Sequence, residues 1–319
     1  MNFRFILLWS AALILMPLTL LGTTSVGLVN VSVACMRDEP RHGSELISQA
    51  IMGTPMRLIA PTDDGEWWRV QSPDGYEGYM IGNSLVMCDS MRYTAWKSAP
   101  RVVVTAFAQA FVTDETGHEV ISDVVNGCIL EGEVNAADSI CRVNLPDGRV
   151  GFMSVNDVVP IDQWACQPYD SDLILRMGRS MMGTPYLWGG MSTKSLDCSG
   201  FVRVCFWANG RLLPRDASPQ AQSGNAVSVA QLQPGDLLFF GNADTGRINH
   251  VAISKGGTDF IHCSGRVMNG SLDPASPDYM PLHFIQAVRP MQGNYGRQTV
   301  VAVSEHPWYF NECQVQQNP

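Results

Sequence analysis

The chain has 319 residues, which suits two or three domains better than one. Hydrophobic residues make up 45% and charged residues 16%, so packed globular domains are expected and long disordered tracts are not. A net charge of −9 excludes the basic stripes that a nucleic-acid or membrane-surface binder needs, and an acidic substrate would have to be held by local groups.

In chain order, Asn2-Phe3-Arg4 carries one positive charge, residues 5–21 are nearly all apolar, and Gly22-Thr23-Thr24-Ser25 follow. This reads as an export signal over residues 1–26, cleaved near residues 22–27. The apolar run is also close to spanning length, so a retained anchor is the alternative. After cleavage no stable membrane insertion is expected, and the mature chain would be periplasmic or extracellular, at the cell envelope. A lipoprotein reading would use Ser32-Val33-Ala34-Cys35, but Cys35 lies far beyond the apolar core and residues 29–34 alternate as one strand does. Nine cysteines, an odd count, leave at least one free thiol in an exported chain even if the others pair. No Cys-x-x-Cys and no His cluster accompanies them, so neither a metal nor any other cofactor is expected.

Two stretches repeat each other. Trp68-Arg69-Val70-Gln71-Ser72-Pro73-Asp74-Gly75-Tyr76-Glu77-Gly78-Tyr79-Met80 matches Cys141-Arg142-Val143-Asn144-Leu145-Pro146-Asp147-Gly148-Arg149-Val150-Gly151-Phe152-Met153. In each, a Pro-Asp-Gly turn separates two strand-like runs. Proline presets the turn dihedral and glycine accepts positive φ. Upstream, Glu45-Leu46-Ile47-Ser48-Gln49 matches Glu119-Val120-Ile121-Ser122-Asp123. Two small all-β units are predicted, over residues 28–90 and 100–160. Beyond Trp164 the texture changes. Residues 172–181 have helical spacing, a loop rich in glycine and aromatics follows, and residues 199–208 read as a buried helix stopped near Asn209-Gly210. Residues 237–240, 250–254 and 259–263 read as strands, which makes this third unit α+β with one antiparallel sheet.

Leu196-Asp197-Cys198-Ser199-Gly200 stands at the start of the buried helix, where the helix dipole would lower the thiol pKa of Cys198. His250 heads an apolar strand, and His262 lies on the next. Adjacent strands can set the two rings side by side, with His250 taking the thiol proton and His262 orienting it. A lone cysteine or histidine of this kind is more often a satisfied core residue; here the two histidines follow the cysteine in order. The Cys198 backbone N–H and the Tyr186 phenol are candidate oxyanion donors, and His42, His118, His283 and His306 lack such a setting.

Six pieces in order carry a specific resemblance. They are Gly183-Thr184-Pro185-Tyr186-Leu187-Trp188-Gly189-Gly190, Asp197-Cys198-Ser199-Gly200-Phe201-Val202, Leu213-Pro214-Arg215-Asp216, Gln233-Pro234-Gly235-Asp236-Leu237, His250-Val251-Ala252-Ile253 and Phe260-Ile261-His262. Over about residues 170–290 the chain resembles the NlpC/p-sixty family of cell-wall cysteine peptidases, and the two β units resemble bacterial SH3-like domains. The resemblance implies a papain-like catalytic domain over residues 165–293, preceded by two SH3-like barrels and followed by a tail over residues 294–319. It implies Cys198, His250 and His262 as the catalytic set.

From about residue 28 the whole chain resembles the γ-D-glutamyl-L-diamino acid endopeptidases. Those enzymes cut murein stem peptides after D-glutamate and prefer a free L-Ala amine, because the first SH3-like domain closes one end of the cleft. The partner implied is therefore a murein peptide, L-Ala-γ-D-Glu-diamino acid, met in muropeptide recycling or turnover. Carried over residue by residue, Glu45 and Tyr76, with Tyr79 as fallback, would hold the amine. Asp197 and Ser199 would bond the substrate backbone, and Arg215 would pair with the D-glutamate α-carboxylate. Trp188 and Ser218 join this substrate-binding set. Ala217 stands where the family often has serine, which puts the contacts of that loop in doubt, and Cys35-Met36-Arg37 departs from the small polar residue usual there. The rival readings are a hydrolase acting on intact or cross-linked murein and a non-catalytic murein-binding protein.

Overall fold

The computed structural model describes residues 26–107, 109–135, 137–291 and 299–311. The expected export signal up to Ser25, the start of the tail at residues 294–298, and Cys313 lie outside the described residues.

Seven strands form the first sheet: β1 Val26–Val29, β2 Val33–Arg37, β3 Leu46–Ile51, β4 Pro55–Pro61, β5 Trp67–Gln71, β6 Glu77–Ile81 and β7 Leu85–Cys88. Their order is β3-β2-β6-β5-β4-β1-β7, with antiparallel neighbours throughout. The single strand expected over residues 29–34 is instead divided between β1 and β2. Asn30 and Ser32 are turn formers that bond elsewhere: Asn30 N–H donates to Ser84 O and Ser32 O accepts from Met52 N–H.

A helix, α1 Ser90–Ser98, leads to the second sheet. That sheet comprises β8 Arg101–Val104, β9 Ala110–Thr113, β10 Val120–Val124, β11 Ile129–Gly132, β12 Ile140–Asn144, β13 Val150–Ser154 and β14 Val158–Pro160. Its order, β10-β9-β13-β12-β11-β8-β14, repeats the first sheet strand for strand. The two Pro-Asp-Gly turns also match. Gly75 has φ +85° and Gly148 φ +89°, a conformation that penalises any Cβ. Ser72 N–H bonds Tyr76 O at 2.9 Å, and Leu145 N–H bonds Arg149 O at 2.8 Å.

The third unit contains α2 Ile161–Cys166, α3 Ser171–Ser180, β15 Met191–Ser192, β16 Ser195–Leu196, α4 Cys198–Trp207, β17 Arg211–Leu212, α5 Ala217–Gln220 and β18 Gly224–Val227. It continues through β19 Leu237–Gly241, β20 Ile248–Gly256, β21 Asp259–Ser264, β22 Arg266–Ser271, β23 Phe284–Pro290 and β24 Val301–Ala302. One antiparallel sheet, β18-β23-β19-β20-β21-β22, carries the helices. Phe201, Val202 and Cys205 of α4 pack with Ile174 and Met177 of α3 against Val251, Ile253 and Ile261 of the sheet. The architecture is α+β, a papain-like domain behind two small β units.

The final described segment ties the units together. β24 pairs with β17, and Tyr309 and Phe310 are buried with Trp96 and Trp164. Arg101 Nη2 donates to Tyr309 O at 2.8 Å. Among the described residues every cysteine is a free thiol, no helix is long and apolar enough to cross a membrane, and no cluster of His, Cys, Asp or Glu could hold a metal ion.

Candidate active site

The site is organised around Asp197, the residue that caps α4. Its Oδ1 accepts from Gly200 N–H at 2.7 Å, fixing the first turn and setting Cys198 as the first helical residue. Its Oδ2 accepts from Gly189 N–H at 3.0 Å, so one carboxylate ties the helix start to the loop bearing Tyr186 and Trp188. Gly200 is required because a Cβ there would stand 2.0 Å from Gly190 O. Gly189, at φ +78°, lets a neighbouring chain close in: its Cβ would meet Leu46 O of the first β unit at 2.4 Å.

The backbone N–H groups of Val251 and Ser199 both favour the Cys198 thiolate. The sulfur therefore lies against β20 at the residue following His250. His250 itself sits at an irregularity: Phe240 pairs with His250 while Gly241 pairs with Ile248, leaving Asn249 extra. Such a bulge re-aims side chains and is common beside active sites. His250 Nε2 and His262 Nδ1 are 2.8 Å apart. His262 is completely buried, its ring perpendicular to that of Phe260, and its Nε2 has no hydrogen-bond partner among the described residues.

The electrostatics depart from the sequence expectation of a depressed thiol. Burial, with the Asp197 carboxylate beside it, pushes Cys198 up to about 11, against the smaller pull of those amides and of Arg215. Burial and the neighbouring His262 push His250 down to about 3, and burial pushes His262 down to about 4. At neutral pH these values give an uncharged thiol and two uncharged imidazoles. The position at a helix start was visible in the sequence; the burial that outweighs it was not. Burial and the Cys198 sulfur push the half-buried Tyr186 phenol up to about 12, so it stays an O–H donor beside the thiol.

The remaining expected site residues fall into three groups. Asp197, Ser199 and Arg215 form one buried cluster: Arg215 Nη2 donates to Asp197 Oδ2 at 2.5 Å, and its Nη1 to Ser199 Oγ at 2.9 Å. The guanidinium is thus already bound to protein, where the sequence reading gave it to a substrate carboxylate. Its partner on the first β unit, Ser48, was hidden by distance along the chain. Glu45 and Trp188 form the second group, at the exposed rim, with Trp188 Nε1 donating to Glu45 Oε1 at 2.7 Å. Tyr76 belongs to the third: its half-buried phenol is directed to Asp216, and the hydrogen bonds do not join it to Glu45. Ser218 faces solvent on α5 and is hydrogen-bonded to none of these groups. Sequence reasoning missed Ser48, Gln49 and Asp216. Gln49 Oε1 accepts from Met191 N–H at 2.8 Å, and Ser48 Oγ accepts from Arg215 Nε at 3.0 Å. Two of them had a signal: Ser48 recurs as Ser122 in the second repeat, and Asp216 stands in the Leu213-Pro214-Arg215-Asp216 motif.

Comparison with known proteins places these features in a family. Residues 183–303 match the NlpC/P60 family, and residues 36–85 match the bacterial dipeptidyl-peptidase SH3 domain. The chain is 41% identical over 219 residues to the gamma-D-glutamyl-L-lysine dipeptidyl-peptidase of Bacillus subtilis (strain 168), covering 65% of this chain and 69% of that one. It is 27% identical to dipeptidyl-peptidase 6 of Lysinibacillus sphaericus, covering 79% of this chain and 93% of that one. An NlpC/P60 family protein from Bacillus cereus shares the fold at a TM-score of 0.71 and 23% identity, over 83% of this chain and 99% of that one. The chain belongs to the NlpC/P60 family of cysteine peptidases.

Proposed function

We propose that this peptidase hydrolyses the bond between γ-D-glutamate and the diamino acid of murein stem peptides, releasing L-Ala-D-Glu from fragments whose amine is free. The observation that carries the reading is the docking of β3 along the loop of Trp188 and Met191, through Glu45 and Gln49. On this reading the contact walls one end of the cleft, admitting a short amino-terminal piece and excluding a glycan-linked stem. Carboxylate at the wall, on the exposed Glu45 and on Asp216 beside Tyr76, suits an ammonium. The relatives named gamma-D-glutamyl-L-lysine dipeptidyl-peptidases point the same way. The apolar run at residues 5–21 supports an exported enzyme.

In this mechanism Cys198 attacks the γ-carbonyl carbon while His250 takes the thiol proton. Base action at Nδ1 requires the His250 proton to sit on Nε2, donated to His262 Nδ1, so His262 selects the useful tautomer. Since the resting pair is uncharged, the imidazolium forms together with the oxyanion. The Tyr186 O–H and the Cys198 N–H receive that oxyanion. The imidazolium returns its proton to the leaving α-amine, and a water activated by the same ring hydrolyses the thioester.

The test compares L-Ala-γ-D-Glu-diaminopimelate with its N-acetylated form and with whole murein. Release of L-Ala-D-Glu from the free peptide, with a loss on the order of 100-fold or more on acetylation, is the expected result. Equal cleavage of both, or preference for whole murein, would reject the amine preference. Binding to murein without thiol-dependent cleavage would reject hydrolysis.

A further inference from the structure

Ser48 stands on β3 of the first β unit, in none of the motifs that mark the site. It is buried, as are Arg215 and Asp197. Its Oγ proton is directed at Gln49 O, 3.4 Å away, which leaves the oxygen's lone pairs to accept from Arg215 Nε at 3.0 Å. The other face of the same guanidinium grips Asp197 through Nη1 and Nη2, at 3.3 and 2.5 Å. Asp197 in turn fixes the amides of Gly200 and Gly189 around Cys198. A planar guanidinium held on one edge cannot rotate about its stem without losing the fork on the other.

We infer that Ser48 is a positioning residue for the nucleophile, acting through Arg215 and Asp197, so that the first β unit is part of the support of Cys198 as well as a wall of the cleft. The inference rests on Cys198 being the nucleophile. The repeat supplies an internal comparison: Ser122, the matching serine of the second unit, makes the same local contact, Oγ to Asp123 O at 3.0 Å, but receives no arginine.

Removing the Ser48 hydroxyl frees one edge of Arg215. The charged and titratable groups that act on the Cys198 sulfur are Asp197, which raises its pKa, and Arg215, which lowers it, with Tyr186 and Cys263 of β21 facing it as neutral groups. A guanidinium that drifts from this cluster leaves the Asp197 charge less balanced, and the thiol pKa rises.

The experiment uses the full chain. Alkylation of Cys198 by iodoacetamide is followed against pH by mass spectrometry of its peptide, alongside kcat and KM on the free tripeptide, for Ser48→Ala, Ser48→Thr, Ser48→Val and Ser122→Ala. Ser48→Ala should move the alkylation profile to higher pH and lower kcat on the order of tenfold, with KM little changed. Ser48→Thr should restore both, and Ser122→Ala should leave both alone. If the alanine variant does not fold, Thr against Val, equal in shape but differing in the hydroxyl, makes the same comparison. An unchanged profile, or a loss that threonine does not restore, overturns the inference. Alkylation of Cys198 that leaves the enzyme active would instead remove the nucleophile assignment beneath it.

Discussion

The two β units share strand order and turn geometry, yet they meet the catalytic domain differently. In the first, the Pro-Asp-Gly turn sends Asp74 to Arg203 of α4, a buried ion pair at 2.7 Å, and Pro73 O bonds the ring of the buried His306 at 2.9 Å. In the second, Asp147 pairs with Arg149 of its own turn at 2.8 Å, partly in water. Strand β3 and the residue before it place Glu45, Ser48 and Gln49 against the site, whereas of the matching residues at β10 it is Asp123 that reaches the catalytic domain, at Lys194. One backbone plan thus carries two kinds of surface: Glu45, Ser48, Pro73 and Asp74 recur as Glu119, Ser122, Pro146 and Asp147, and what differs is the partner that each copy meets.

The sharpest way to break this contrast is to cut each turn's ion pair. Asp74→Ala leaves Arg203 buried without a partner and should cost about 3–5 kcal/mol, while Asp147→Ala should cost no more than about 1 kcal/mol. Urea unfolding midpoints would measure both, and equal losses would erase the difference between the units.

A second contrast is a pH dependence to which the first turn contributes through His306. Burial holds His306 at about 4, below the ordinary imidazole value. The unfolded chain therefore binds a proton that the folded one refuses, and stability should fall as pH drops from about 6.5 to about 4. His250 and His262 are shifted in the same direction and add to the fall. Thermal midpoints at pH 7 and pH 4.5, for the wild type and His306→Gln, should show a smaller drop in the variant; identical drops would count against this account.

At the cleft, Glu45→Gln should lower kcat/KM on the free tripeptide on the order of tenfold and leave the acetylated peptide unaffected. Asp123→Asn, on the matching strand, should change neither. The smallest expected effect concerns what the two units share. Gly75→Ala and Gly148→Ala each force a left-handed residue, with nothing within 4 Å of the added Cβ, and should cost about 1–2 kcal/mol apiece. Unequal costs would mean that the two turns are not equivalent.

What the sequence revealed was local. Glycine at positive φ marked both turns, apolar runs gave the core strands, and Asp197 before an apolar helix marked the position of Cys198. What it hid depends on groups far apart in the chain. Ser48 meets Arg215, Glu45 meets Trp188, and Tyr76 turns to Asp216 because the first unit docks on the catalytic one, and no periodicity records docking. The same holds for the extra Asn249 beside His250 and for the burial that raises the Cys198 thiol, which the helix start alone would have lowered.

The proposal that Cys198 forms the covalent intermediate is tested most directly by acid quench during turnover of the free tripeptide, followed by peptide mass spectrometry. The account predicts an L-Ala-γ-D-Glu acyl group on the sulfur of Cys198 that accumulates transiently and is absent in Cys198→Ala. Full turnover with no acyl group on that residue, or turnover that survives the alanine substitution, would contradict it.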